Sequence, residues 1–292
     1  MGYIIRKTGE NLNYEDRVAD FIIDSMVWSF SRLSSYYTCP YEWKKIYIDC
    51  DDKEENFAAQ FGGYIHKIIE LYTKGELSIF ELSQYYEDHY SEYVTCDPPP
   101  NKYVDMGQKY YDAGHDYFDN IDLELDKYQV LGVEQELRFK IGNYDFIGYI
   151  DLLLKDKLNG EIIILDHKSA NIGVLKSGQI AKKDREHFES FKKQLYLYSK
   201  PIIEEYGRVD KLKWNLFKEQ RSIEIPWKKE EYDVATKWAI NTIEMIKNEE
   251  EWGPNKELIK AIDEGKSIPY YCLFLCSQRN RCYWKSCYRE EW

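Results

Sequence analysis

The sequence predicts an α/β or α+β fold, with a central mixed β-sheet flanked by helices. Three observations predict it. Residues 130–168 contain three consecutive segments rich in Val, Ile, Leu, Tyr and Phe. The stretches before and after them carry apolar residues at helical spacing. No apolar run approaches the roughly 20 residues that cross a bilayer. Helices bracketing a sheet in this way pack as layers around it.

Taken in order, 29–49 reads as a helix opened by a Ser29 cap, with Leu33, Tyr36 and Tyr37 on one face. Pro40 breaks it because proline donates no N–H, and Trp43 and Tyr47 then resume the period. A second helix, 62–75, has Ile65, Ile68, Ile69 and Tyr72 as its apolar stripe. Pro98, Pro99 and Pro100 break the periodicity between two helical stretches. Strands are expected at 130–140, 144–155 and 161–168, the last two joined through Asn159-Gly160, a hairpin signal. A helix at 186–206, strands at 209–217 and 222–226, and a helix at 230–251 follow. With no repeat and no low-complexity linker, 1–292 is expected to be a single domain, its core about 29–226 and a Cys-rich tail at 270–292.

Composition narrows the function. Aromatic residues make up 16% of the chain, with 27 Tyr and 8 Trp, enough both to fill a core and to stack on unpaired bases. The net charge of −12 argues against a basic, non-specific nucleic-acid coat. It still allows carboxylates around a cation beside a local basic groove. Residues 1–11 are polar, without the apolar stretch of a secretory signal, and Arg6 stands where acylation of Gly2 would want Ser or Thr. A cytoplasmic location without membrane contact is expected. Seven cysteines, an odd number, point to metal ligation rather than a disulfide framework.

The chemistry concentrates in Gly148-Tyr149-Ile150-Asp151 and Ile164-Leu165-Asp166-His167-Lys168. Residues two apart in a strand share a face, so Asp166 and Lys168 project together and His167 points away. Asp151 closes the apolar run of the preceding strand, and a hairpin brings it beside Asp166. Two carboxylates so placed seat Mg²⁺ or Mn²⁺, which can polarise a phosphate oxygen and acidify a bound water. Lys168 can then stabilise charge on phosphorus. Solvated Asp and Lys at strand ends are common, so the triplet gains weight from its company.

That company resembles the PD-(D/E)XK nuclease superfamily in its RecB-like exonuclease branch. Four blocks in order carry the resemblance: Ser29-Phe30-Ser31-Arg32-Leu33 running to Cys39-Pro40-Tyr41-Glu42-Trp43; Gly62-Gly63-Tyr64-Ile65-His66 with Glu70; the two Asp-containing blocks above; and Gln194 with Tyr198. Ile150 replaces the proline of the superfamily's name. The resemblance implies a restriction-endonuclease-like core with Asp151 and Asp166 as metal ligands, Lys168 as the catalytic lysine and His66 adding an imidazole to the metal. Gln194 and Tyr198, four apart and so on one helix face, are implied near the metal and the DNA backbone. Glu136 is a weaker candidate for the acidic cluster. Lys182, Lys183, Arg185, Lys192 and Lys193 offer a phosphate-contacting surface.

Cys272-x3-Cys276-x5-Cys282-x4-Cys287 has the density of a soft-metal site, either zinc or iron–sulfur. The resemblance implies a [4Fe-4S] cluster joining Cys39 to three of Cys272, Cys276, Cys282 and Cys287, with structural Zn²⁺ as the alternative. The function it implies is metal-dependent hydrolysis of DNA, with single-stranded ends as substrate and an exonuclease mode. A helicase, recombination, CRISPR or phage protein would be the partner. The other reading is a catalytically inactive DNA-binding or assembly subunit that keeps the nuclease fold; the intact Asp151, Asp166 and Lys168 weigh against it.

Overall fold

β1 (Tyr128–Ile141), β2 (Tyr144–Asp156) and β3 (Ile162–Lys168) form an antiparallel meander in the computed structural model, which describes residues 14–289 and side chains from 18 to 286. Gly2, Arg6 and the Cys287 side chain lie outside the described residues. The β2–β3 turn closes through Gly160 at φ +74, a left-handed conformation that glycine adopts at little steric penalty. Asp156 supports it by accepting from the main-chain N–H groups of Leu158 and Asn159. The chain then crosses over as α7 (Arg185–Tyr206) and returns as β4 (Lys211–Leu216), parallel to β3. β5 (Arg221–Pro226) completes a mixed five-stranded sheet of order β1-β2-β3-β4-β5. The expected central mixed sheet flanked by helices is therefore present.

The helices on the N-terminal side are α1 (Tyr14–Asp24), α2 (Phe30–Thr38), α3 (Pro40–Tyr47), α4 (Phe57–Thr73), α5 (Leu82–Tyr93) and α6 (Met106–Asp119). Ser29 caps α2, accepting from Arg32 N at 3.2 Å. Pro40 opens α3, where its missing N–H has no partner to lose. The helix expected at 62–75 begins at Phe57, because Asn56 caps it and Phe57 and Phe61 extend the buried stripe. α8 (Lys229–Lys247), α9 (Lys256–Asp263) and α10 (Tyr283–Arg289) complete the order. No described helix is long and apolar enough to cross a membrane.

Each face of the sheet has its own core. Leu33, Trp43, Phe146, Ile164, Leu195, Trp214 and Ile243 join α2, α3, α7 and α8 to one face. Phe61, Ile65, Tyr86, Phe118, Leu154 and Leu165 join α4, α5 and α6 to the other. Successive residues of β3 alternate between them, with Ile162 and Ile164 on one side and Ile163 and Leu165 on the other. β2 breaks this rule at one step: Ile150 belongs to the first core and Leu152 to the second. Asp151 sits at that reversal.

Candidate active site

The sheet opens where β2 and β3 part. Their pairing starts at Leu152↔Leu165, so Asp151 and Asp166 flank the first unpaired step. Asp151 lies in mid-β2, within the strand expected at 144–155, which runs from Tyr144 to Asp156 alongside β1. The neighbouring strand is what stops. Asp151 Oδ2 accepts from His167 N at 2.6 Å, which anchors the carboxylate at the fork.

α4 delivers His66 to the same place. Its Nδ1 is 3.6 Å from Asp151 Oδ2, and its Nε2 is 3.0 Å from the main-chain oxygen of His167. A carbonyl oxygen only accepts, so in the neutral ring the proton sits on Nε2 and Nδ1 keeps its lone pair toward the carboxylate.

Glu134 is the third member, and sequence reasoning missed it. It lies between the pairs Val133↔Leu152 and Gln135↔Ile150, across from Asp151. One ligand atom from each of His66, Glu134 and Asp151 falls within 4.8 Å of the others. Burial, and then the charge of Asp151, push the Glu134 carboxyl up to about 7. Glu136, the weaker candidate from the sequence, is directed elsewhere: its carboxylate takes the Arg138 guanidinium at 2.7 Å and the Tyr149 hydroxyl at 2.9 Å, on the exposed side. Glu134 adopts φ +48, sparsely populated for a side chain of its kind. Gly132 was the available signal, since a strand glycine often marks a bulge, and the β1–β2 register shifts between Val130 and Gly132.

On β3, Asp166 and Lys168 project together as their spacing requires. Asp166 is 3% exposed, and burial raises its carboxyl above the usual range against the pull of Lys168. Lys168 Nζ lies 3.0 Å from Asp166 Oδ1 and 2.8 Å from Oδ2; only the first contact has hydrogen-bond geometry, which leaves Oδ2 a free acceptor. The ammonium also donates to Gln194 Oε1 at 2.9 Å and sits 5.2 Å from the centre of the Phe191 ring. His167 points the other way and is buried, which pushes its pKa down to about 3 and keeps the ring neutral.

Gln194 is thus at the site through Lys168, and Tyr198 stands behind it. Burial, and then the charge of Asp166, raise the Tyr198 phenol, which lies close to the Gln194 side chain and the main chain of Tyr149. Gly148 explains the close fit, because a Cβ there would lie 2.4 Å from the Tyr198 ring. Of the expected basic surface, Lys192 is ion-paired to Glu189 and Glu231 at 3.0 and 2.9 Å and so has its charge already met. Lys193 lies over the Trp238 ring. Lys182, Lys183 and Arg185 are exposed, the first two just before α7 and the third at its first position.

The cysteines gather elsewhere. Cys39, Cys272 and Cys276 are buried and Cys282 is partly so. Burial dominates the raised pKa of Cys39, Cys272 and Cys276, and each of these three also feels the charge of at least one other thiol in this group of four. Main-chain N–H groups reach two of the sulfurs: Glu42 N to Cys39 and Gln278 N to Cys276, both at 3.4 Å. Beside them the buried Glu42 accepts from the Tyr271 hydroxyl, Ser277 N and Ser277 Oγ, tying α3 to the tail.

One imidazole nitrogen and a set of carboxylate oxygens are donors that fit a hard divalent cation. The profile of the family described as the PD-(D/E)XK nuclease superfamily matches residues 27–283. Among solved structures, that of a presumed exonuclease from Eubacterium rectale is similar at 13% identity and a TM-score of 0.49, over 91% of this chain and 95% of that one. No curated protein matches the chain by sequence.

Proposed function

Because the chain belongs to the PD-(D/E)XK nuclease superfamily, we propose that it hydrolyses DNA phosphodiester bonds with Mg²⁺ or Mn²⁺, as an exonuclease on single-stranded ends. The observation that carries this reading is the fork between β2 and β3, where His66, Glu134 and Asp151 converge beside the Asp166–Lys168 pair. A divalent cation held there would polarise a phosphate oxygen and acidify a water.

The chain's own groups have separable tasks. His66 Nδ1 and the Glu134 and Asp151 carboxylates would hold the cation, with Asp166 Oδ2 as a further oxygen. Asp166 and Gln194 hold the Lys168 ammonium by hydrogen bonds at 3.0 and 2.9 Å, so it can meet the charge that builds on phosphorus without reorganising. Tyr198 braces Gln194. Lys182, Lys183 and Arg185 would contact the strand's phosphates. Cys39, Cys272, Cys276 and Cys282 would ligate a [4Fe-4S] cluster and so clip α3 to the tail.

The test uses anaerobically purified protein and single- and double-stranded DNA labelled at either end, with and without Mn²⁺. Progressive shortening of single strands is expected, abolished by EDTA and by Asp166→Ala or Lys168→Ala. Equal digestion by either variant and by wild type would overturn the reading.

A further inference from the structure

β4 runs parallel to β3 with Asn215 paired to His167, so both side chains lie on the face opposite Asp166 and Lys168. Asn215 Nδ2 is 2.8 Å from His167 Nδ1 and 2.7 Å from the Tyr117 hydroxyl. An amide nitrogen only donates, so His167 Nδ1 accepts and the proton of the neutral ring is on Nε2. That Nε2–H finds no acceptor among the described residues. The surrounding core includes Ile163, Leu165 and Phe217, which offer the Nε2–H no acceptor, and a buried unpaired donor is costly. Packing alone therefore does not account for a histidine here.

The main chain of the same residue does. His167 N binds Asp151 Oδ2, and His167 O accepts from His66 Nε2. The peptide groups on either side of one Cα thus aim two of the three converging ligands. Fixing the ring fixes that backbone, because a side chain locked at both ends of its torsions restrains φ and ψ.

We infer that Asn215 is a positioning residue of the metal site, holding His167 so that its main chain aims His66 and Asp151. This rests on the metal-nuclease reading above. Asn215 itself touches neither the cation site nor the substrate, and its effect passes through hydrogen bonds behind the ligands, where losses typically weaken metal binding about 10–100-fold.

The experiment is calorimetric titration of Mn²⁺ into the full chain, wild type against Asn215→Leu, with thermal melts of each. Asn215→Leu is expected to bind Mn²⁺ about 10-fold or more weakly. It should need correspondingly more Mn²⁺ for half-maximal DNA cleavage yet reach the wild-type rate at saturation. Asn215→Gln keeps the donor, and a cavity of about 280 Å³ beside Asn215 and Tyr117 has room for its extra methylene, so it should restore most of the affinity. His167→Leu guards against a folding artefact: it exchanges the unpaired Nε2–H for one unpaired hydrogen on Asn215 Nδ2, so it should melt close to wild type while binding Mn²⁺ more weakly, a split that a merely structural role would not produce. Unchanged Mn²⁺ affinity in Asn215→Leu and His167→Leu, beside a wild type that binds, overturns this inference alone. A wild type that binds no Mn²⁺ overturns the metal reading and this inference with it.

Discussion

Glu134 and Asp151 face each other across β1 and β2, with oxygens of the two carboxylates no more than 4.8 Å apart and an imidazole nitrogen of His66 in the same group. Burial first, and then the charge of Asp151, disfavour the ionised form of Glu134, whose carboxyl rises to about 7.

A pH dependence of stability follows, with a definite sign. Unfolded Glu134 releases its proton near pH 4.3, whereas the folded residue keeps it to about 7. The folded state therefore binds the extra proton, and its stability falls as pH rises between those values. Asp166 is shifted in the same direction and adds to the slope. In EDTA the melting temperature is expected to drop from pH 5 to 7.5, less so in Glu134→Gln. Mn²⁺ should remove most of the drop in the wild type by replacing the proton. Parallel wild-type and Glu134→Gln melting curves across this range would count against the assignment.

Lys168 is expected to matter twice. Removing it leaves Asp166 buried without its ammonium, and an uncompensated buried charge costs about 3–5 kcal/mol unless the group takes up a proton. Lys168→Met should thus lose cleavage and melt well below wild type without metal. Added Mn²⁺ should recover the melting temperature and leave the cleavage defect in place. Differential scanning calorimetry and the end-label assay read the two effects separately.

Gly148→Ala should destabilise the fold by about 1–3 kcal/mol, since its Cβ would fall 2.4 Å from the Tyr198 ring inside a packed core. Cutting back the obstruction in Gly148→Ala/Tyr198→Leu should recover part of that loss. Denaturant titrations of the two variants give the comparison, and additive losses would show that the two residues do not share the space.

The tail should depend on Glu42. Glu42→Gln keeps the shape but weakens three hydrogen bonds to the carboxylate, so the tail should become sensitive to protease before the core does. Cys39→Ala should also abolish the broad visible absorbance expected of an anaerobically prepared iron–sulfur protein. Zinc recovered in its place, with no absorbance in the wild type, would redirect the assignment to a zinc site.

Much of this was legible in the chain. Asn159-Gly160 announces the β2–β3 hairpin, and the period of two places Asp166 and Lys168 together and His167 behind. What escaped has a common cause in backbone irregularity. Glu134 lies where the register and φ of β1 depart from regular alternation, so a strict period favoured neither it over Glu136 nor its meeting with His66. That Asp151 sits at a fork depends on where β3 stops pairing, a fact of neighbouring strands. The Lys192 charge looked available because its partner Glu231 comes from α8, far along the chain.

The Glu42 cradle also sets a clock. Its acceptor bonds await Tyr271 and Ser277, which lie 229 and 235 residues further along the chain. At a synthesis rate of roughly 5–20 residues per second, α3 spends on the order of 10 s or more on the ribosome with its carboxylate unmet. Over that interval α3 must either stay hydrated at the surface or be sheltered by a chaperone. Docking of this corner therefore follows synthesis of the whole sheet, and slowing translation over the intervening codons would lengthen its exposure.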